Sequence, residues 1–146
     1  MTVRMTGVQA LVAAVRVEQQ AVYGYGLAGA RLSGRDRTAA LAALDAHRMR
    51  RDRLSILVAR SGATPPPAAA AYLPPTPVVD IATARALCAA LEDACAGAAW
   101  DLTAASGPAG TERSLAVSWL TEAATSAATW RGSTGSPAPV LPGQPG

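Results

Sequence analysis

Glu18, His47, Glu92 and Glu122 each fall on or beside an apolar stripe of helical spacing, near the middle of its stretch. Carboxylates and an imidazole turned into a bundle are costly to bury unless a metal ion, an opposite charge or water compensates them. Such donors can coordinate iron or manganese: di-metal carboxylate bundles draw one Glu from each of two helices and Glu-x-x-His from each of the other two. Glu18 and Glu92 match the lone glutamates and His47 matches one histidine. Leu44, however, stands where a glutamate would precede His47, and Thr125 where a histidine would follow Glu122. Two bridged metals would lack ligands, whereas a single iron or manganese ion on Glu18, His47 and Glu122 with waters stays chemically open.

The competing reading is a degenerate, metal-free polar layer. The only histidine lies in "LDAHRMRRDR", residues 44–53, among four arginines. Arg51 follows it by four residues and Arg48 lies at its side, so either guanidinium is expected to enter the layer, neutralise Glu18 or Glu122 and repel a cation. We take the metal-free layer as the first reading, with a structural or binding role. An iron or manganese protein of oxidoreductase or metal-handling type is the alternative.

Four helices must position these groups. Apolar periodicity predicts them over about residues 6–31, 36–61, 80–104 and 111–131. Thr6, Asp80 and Thr111 are candidate caps, and Ser61-Gly62 punctuates the end of the second helix. The links around "RLSGRD" and "ASGPAGT" are short enough only for antiparallel hairpins. The link "GATPPPAAAAYLPPTPVV" is long and proline-rich, able to run extended along a whole bundle. Two antiparallel hairpins joined by a long crossover make an all-α, ferritin-like four-helix bundle over residues 1–131, followed by an irregular tail over 132–146. Folding the hairpins about residues 33 and 107 sets Glu18 opposite residue 48, next to His47, and Glu92 opposite Glu122. The parallel second and third helices bring His47 and Glu92 to the same height, so all four groups are expected in one layer.

The stretches "EQQAVYGYG", "AHRMRRDRL", "AAYLPP", "ALEDACAGAAW" and "SWLTEAATSAATWR" together resemble a ferritin-like domain family of unknown function found mainly in actinobacteria. The resemblance covers nearly the whole chain and implies a dimeric four-helix bundle, without any catalytic residue. In that family a second histidine often accompanies the glutamate of the first helix or the histidine of the second. Here Gln19, Gln20 and Arg48 occupy that neighbourhood.

Composition limits the other classes. The 146 residues suit one core, and the alanine-rich, phenylalanine-free composition favours closely packed helices. All 13 cationic residues are arginine, yet ten carboxylates hold the net charge to +3. Arg48, Arg50, Arg51 and Arg53 surround their helix instead of lining one face, which argues against a nucleic-acid partner. No run reaches the roughly 18 apolar residues of a membrane span, so a cytoplasmic protein is expected, as a homodimer through alanine-rich faces. Cys88 and Cys95, separated by about 10 Å of helical rise, read as buried thiols with no disulfide between them. No Ser or Cys stands at helical spacing from His47 to act as a nucleophile. Gly24, Gly26 and Gly29 are expected to admit bulky neighbours such as Trp, with Tyr25 as packing, and Trp100, Trp119 and Trp130 as core or dimer residues.

Overall fold

A computed structural model describes residues 5–108 and 110–135. These contain four helices and no strand: α1 (Gly7–Gly29), α2 (Gly34–Arg60), α3 (Ile81–Ala105) and α4 (Thr111–Gly132). Residues 136–146, most of the expected tail, lie outside the described residues.

The helix ends follow local chemistry. Thr6 caps α1 in a reciprocal box with Gln9, and Asp80 caps α3 in the same way with Thr83. Gly110 is the N-cap of α4, so Thr111 opens that helix instead of capping it. Ser33 caps α2 without a side-chain bond, and the turn into that helix is made by Gly34 at φ +54°. Beyond the other end, Gly62 at φ +85° takes the left-handed position that closes α2.

The core divides along the bundle. At one end Tyr25, Ala28 and Leu32 pack with Ala40 of α2, Ala84, Leu87 and Cys88 of α3, and Trp130 of α4. At the other, Leu11 and Val15 pack with Leu54 and Val58 of α2, Leu102 of α3 and Ala116 of α4. The two ends fix the directions: α1 runs antiparallel to α2, α3 antiparallel to α4, and α2 parallel to α3. The Asp36–Arg85 ion pair at 2.6 Å ties the starts of the parallel helices together. Between the ends the central apolar cluster consists of small residues, Ala21, Cys95, Ala96 and Ala123. That leaves room at mid-height for large polar side chains.

Residues 61–80 connect α2 to α3 without helix or strand. Part of this segment lies on α1: Gln19 donates to the Pro66 carbonyl at 2.8 Å, and the Tyr72 and Tyr23 rings meet edge to face at 5.7 Å. No helix among the described residues is long and apolar enough to cross a membrane.

Candidate functional site

Glu18, His47 and Glu92 come from α1, α2 and α3 and meet directly at mid-height. All three are at least 96% buried. His47 Nδ1 lies 2.6 Å from Glu18 Oε2, and its Nε2 lies 3.1 Å from Glu92 Oε1. Because a carboxylate accepts at both ring nitrogens, the imidazole serves both bonds only as the doubly protonated cation. Burial pulls its pKa down, but hydrogen bonds and charge from Glu18 and Glu92 outweigh that effect and raise it to about 9. Burial pushes the Glu92 carboxyl up in turn. Its bond to His47, the His47 charge and the Tyr25 hydroxyl together bring it below its ordinary value.

Behind Glu92 the network continues into the apolar end of the bundle. The Tyr25 hydroxyl donates to Glu92 Oε1 at 2.5 Å and accepts from the Trp130 indole N–H at 3.0 Å. Its ring stacks on His47 at 5.2 Å, with 24° between the planes. Burial first, then the Glu92 charge and hydrogen bond, hold the phenol protonated far above its ordinary range. Tyr25 and Trp130, expected from the sequence as packing residues, are therefore also hydrogen-bonding members of the layer. The nearest atoms to a Cβ built at Gly24 would belong to Leu91, at 2.5 Å, so that glycine admits a leucine of α3 and not a tryptophan. Gly26 faces open space, and at Gly29 only Leu41 comes near, at 3.9 Å.

The fourth predicted member sits differently. Glu122 reaches the layer only through Arg50, whose guanidinium donates to Glu122 at 2.8 Å and to Glu18 Oε1 at 3.4 Å. The Arg50 side chain is 10% exposed and that of Glu122 58%, so the carboxylate forms a solvent-facing rim. Burial would ease the proton off Arg50, but the charges of Glu18 and its neighbours hold its pKa above the ordinary value. Neither arginine singled out from the sequence takes this place. Arg51 pairs with Asp52 next to it, and Arg48 pairs with Asp45 on the surface. Arg50 stands three residues after His47, a spacing that also shares its face.

Cys95, read from the sequence as a buried thiol, has its Sγ 3.9 Å from His47 Nδ1. Burial, then the charges of Glu18 and Glu92, push that thiol well above its ordinary pKa. Glu18, His47 and Cys95 each offer one buried donor atom, all within 4.8 Å of one another. The readable signal was Glu92-x-x-Cys95, which places a sulfur one turn from a layer carboxylate.

With Glu18 and Glu92 ionised and His47 and Arg50 cationic, the buried charges sum to zero. Among the described residues every buried side-chain polar atom has a hydrogen-bond partner. These features define an all-helical bundle with a self-neutralised ionic layer through its middle. The chain belongs to the family described as a domain of unknown function (DUF4439), whose sequence pattern matches residues 10–146. It is similar to a conserved hypothetical protein, rv2844, from Mycobacterium tuberculosis. The crystal structure of that protein aligns with a TM-score of 0.80 at 32% identity, over 85% of this chain and 93% of that one. A search of curated proteins finds no match.

Proposed function

We propose that this chain is a ferritin-like bundle whose carboxylate layer operates without iron or manganese and serves a structural or binding role. The proline-rich stretch between α2 and α3 is, in this reading, the crossover that joins two hairpins. One observation carries the proposal: Arg50 lies between Glu18 and Glu122 while His47 bridges Glu18 and Glu92. A guanidinium and an imidazolium thus occupy the electrostatic role of the metals in a di-metal bundle. The donor set also fits iron or manganese poorly. His47 is the only imidazole, and a hard ion on Glu18, His47 and Glu122 would have to displace Arg50, which bonds both carboxylates and lies 3.4 Å from His47 Nδ1.

Metal analysis of protein purified after iron and manganese supplementation tests this reading. Neither ion should reach stoichiometric occupancy. Stoichiometric iron or manganese, lost in Glu18→Ala and His47→Ala, would overturn the proposal and favour a mononuclear carboxylate centre with oxidoreductase or metal-handling activity.

A cytoplasmic homodimer belongs to the same reading. Exposed Met49 and Ile56, seven residues apart on α2, would add apolar area to the alanine-rich contact, and sedimentation velocity measures the oligomeric state.

A further inference from the structure

We propose that Glu18, His47 and Cys95 form a site for one thiophilic divalent cation, zinc(II). The inference rests on the reading that the layer is not an iron or manganese centre, and it uses a different donor set. Three helices each supply one donor: a carboxylate from α1, an imidazole from α2 and a thiol from α3. Nitrogen, sulfur and oxygen together are a zinc combination, whereas manganese and magnesium favour oxygen.

The spacing is close to what the ion requires. Tetrahedral zinc separates nitrogen and oxygen ligands by about 3.3 Å and nitrogen and sulfur ligands by about 3.6 Å. Here His47 Nδ1 stands 2.6 Å from Glu18 Oε2 and 3.9 Å from Cys95 Sγ. Opening the first distance and closing the second by less than an ångström replaces a proton-mediated contact with coordination.

The surroundings orient the imidazole as a zinc ligand. Its other nitrogen bonds Glu92, and Glu92 is held by Tyr25, which is itself held by Trp130. This is a carboxylate–histidine arrangement behind the ligating atom, the usual device for fixing a metal-bound ring. Beside Glu18 and Cys95 a void of about 10 Å³, walled for the rest by Arg50, Trp119 and aliphatic side chains such as Leu54 and Leu102, is of the size of one water, with Glu18 and Arg50 as its polar neighbours. Binding displaces the imidazole and thiol protons, so a doubly charged ion enters as two positive charges leave and the layer stays neutral. Arg50 opposes entry because its guanidinium lies 3.4 Å from His47 Nδ1. It already holds Glu122 on the solvent side, and can retreat there.

The full chain, stripped of metal and reduced, is titrated with cobalt(II) as a spectroscopic probe and then with zinc(II) in competition. One ion per chain is expected, with a cobalt–thiolate charge-transfer absorption that zinc abolishes. Cys95→Ser should eliminate that absorption and weaken zinc binding by about 100-fold or more, whereas Cys88→Ser should retain both. Glu92→Gln should weaken binding by roughly 10- to 100-fold through the imidazole, and Arg50→Met should tighten it. Circular dichroism on each variant separates lost ligands from lost fold, and the Cys88→Ser and Arg50→Met arms require no buried carboxylate to be removed. No stoichiometric cobalt or zinc on the wild-type chain, or binding unchanged by Cys95→Ser, would overturn the site while leaving intact the reading that the layer is not an iron or manganese centre. Iron or manganese binding indifferent to Cys95 would instead overturn the reading beneath it.

Discussion

The inner and outer halves of the ionic layer use the same chemistry in different surroundings. Inside, Glu18, His47 and Glu92 are at most 4% exposed and share two hydrogen bonds. Outside, the Glu122 carboxylate pairs with Arg50 while its side chain stays 58% exposed. In the dry half each charge depends on a specific partner, because desolvation leaves it no alternative. At the rim, water substitutes for a lost partner at little cost. The layer therefore acts as a buried structural element with a replaceable outer member, and a perturbation should cost more the further inward it falls.

Removing Glu92 should have the largest effect. Glu92→Ala leaves the His47 cation with one carboxylate and strips the Tyr25 hydroxyl of its acceptor, so a loss of about 3–5 kcal/mol is expected. Denaturant unfolding measures it. A loss under about 1 kcal/mol would mean that the inner half is as forgiving as the rim.

Titration probes the same half without mutation. The His47 pKa is about 9 in the folded chain against 6.5 for the unperturbed group. Its contribution is therefore fully present below pH 6.5 and disappears as pH rises through 9. Roughly 3 kcal/mol of stability should be lost across that window in metal-free protein. The lowered Glu92 pKa acts in the opposite direction: its contribution is present above the ordinary carboxylate range and is lost as acid titrates through the lowered value. Stability should thus be greatest between the two regions, with the alkaline fall absent from His47→Gln. An equal alkaline fall in that variant would assign the slope to other groups.

Next in size is Tyr25→Phe, which keeps the ring stacked on His47 but removes the donor to Glu92 and the acceptor for Trp130. A cost of about 1–3 kcal/mol is expected, from the buried Trp130 N–H left without a partner and the weaker hold on Glu92. Thermal or denaturant unfolding measures it. No cost would place Tyr25 outside the network and return it to simple packing.

The sequence made the layer's height legible because register arithmetic depends only on helix rise and loop position. Glu18, His47 and Glu92 meet as that arithmetic required, and the helix bounds depart from the periodic stripes by a residue or two. The arginine was not legible. At 100° per residue, positions three and four after His47 fall on opposite flanks of its direction, about 60° to one side and 40° to the other. Which flank faces α1 and α4 depends on tertiary packing that spacing along α2 does not encode. Arg50 lies on that flank, and Arg51 is left to pair with Asp52. Cys95 was missed for another reason: on a stripe of Cys88, Leu91 and Ala98 a thiol counts as a small apolar group. Only the neighbouring helices reveal that His47 and Glu18 stand within reach of its sulfur. Glu122 was placed at the correct height but credited with full membership, because register fixes position along the bundle axis and says nothing of distance from that axis.

That radial difference makes Glu122→Ala the mildest change and the sharpest test of the comparison. Arg50 loses one partner, but it keeps Glu18 at 3.4 Å and gains water at the vacated rim. A cost below about 1 kcal/mol is expected, shrinking further at high salt as exposed pairs are screened. Loss of Glu92 should show little salt dependence, since its partners are shielded from mobile ions. Measuring both variants at low and high ionic strength separates the halves by mechanism as well as by magnitude. If Glu122→Ala instead costs as much as Glu92→Ala and ignores salt, Arg50 holds Glu122 as tightly as His47 holds the buried carboxylates. The layer would then be a single cooperative unit spanning all four helices.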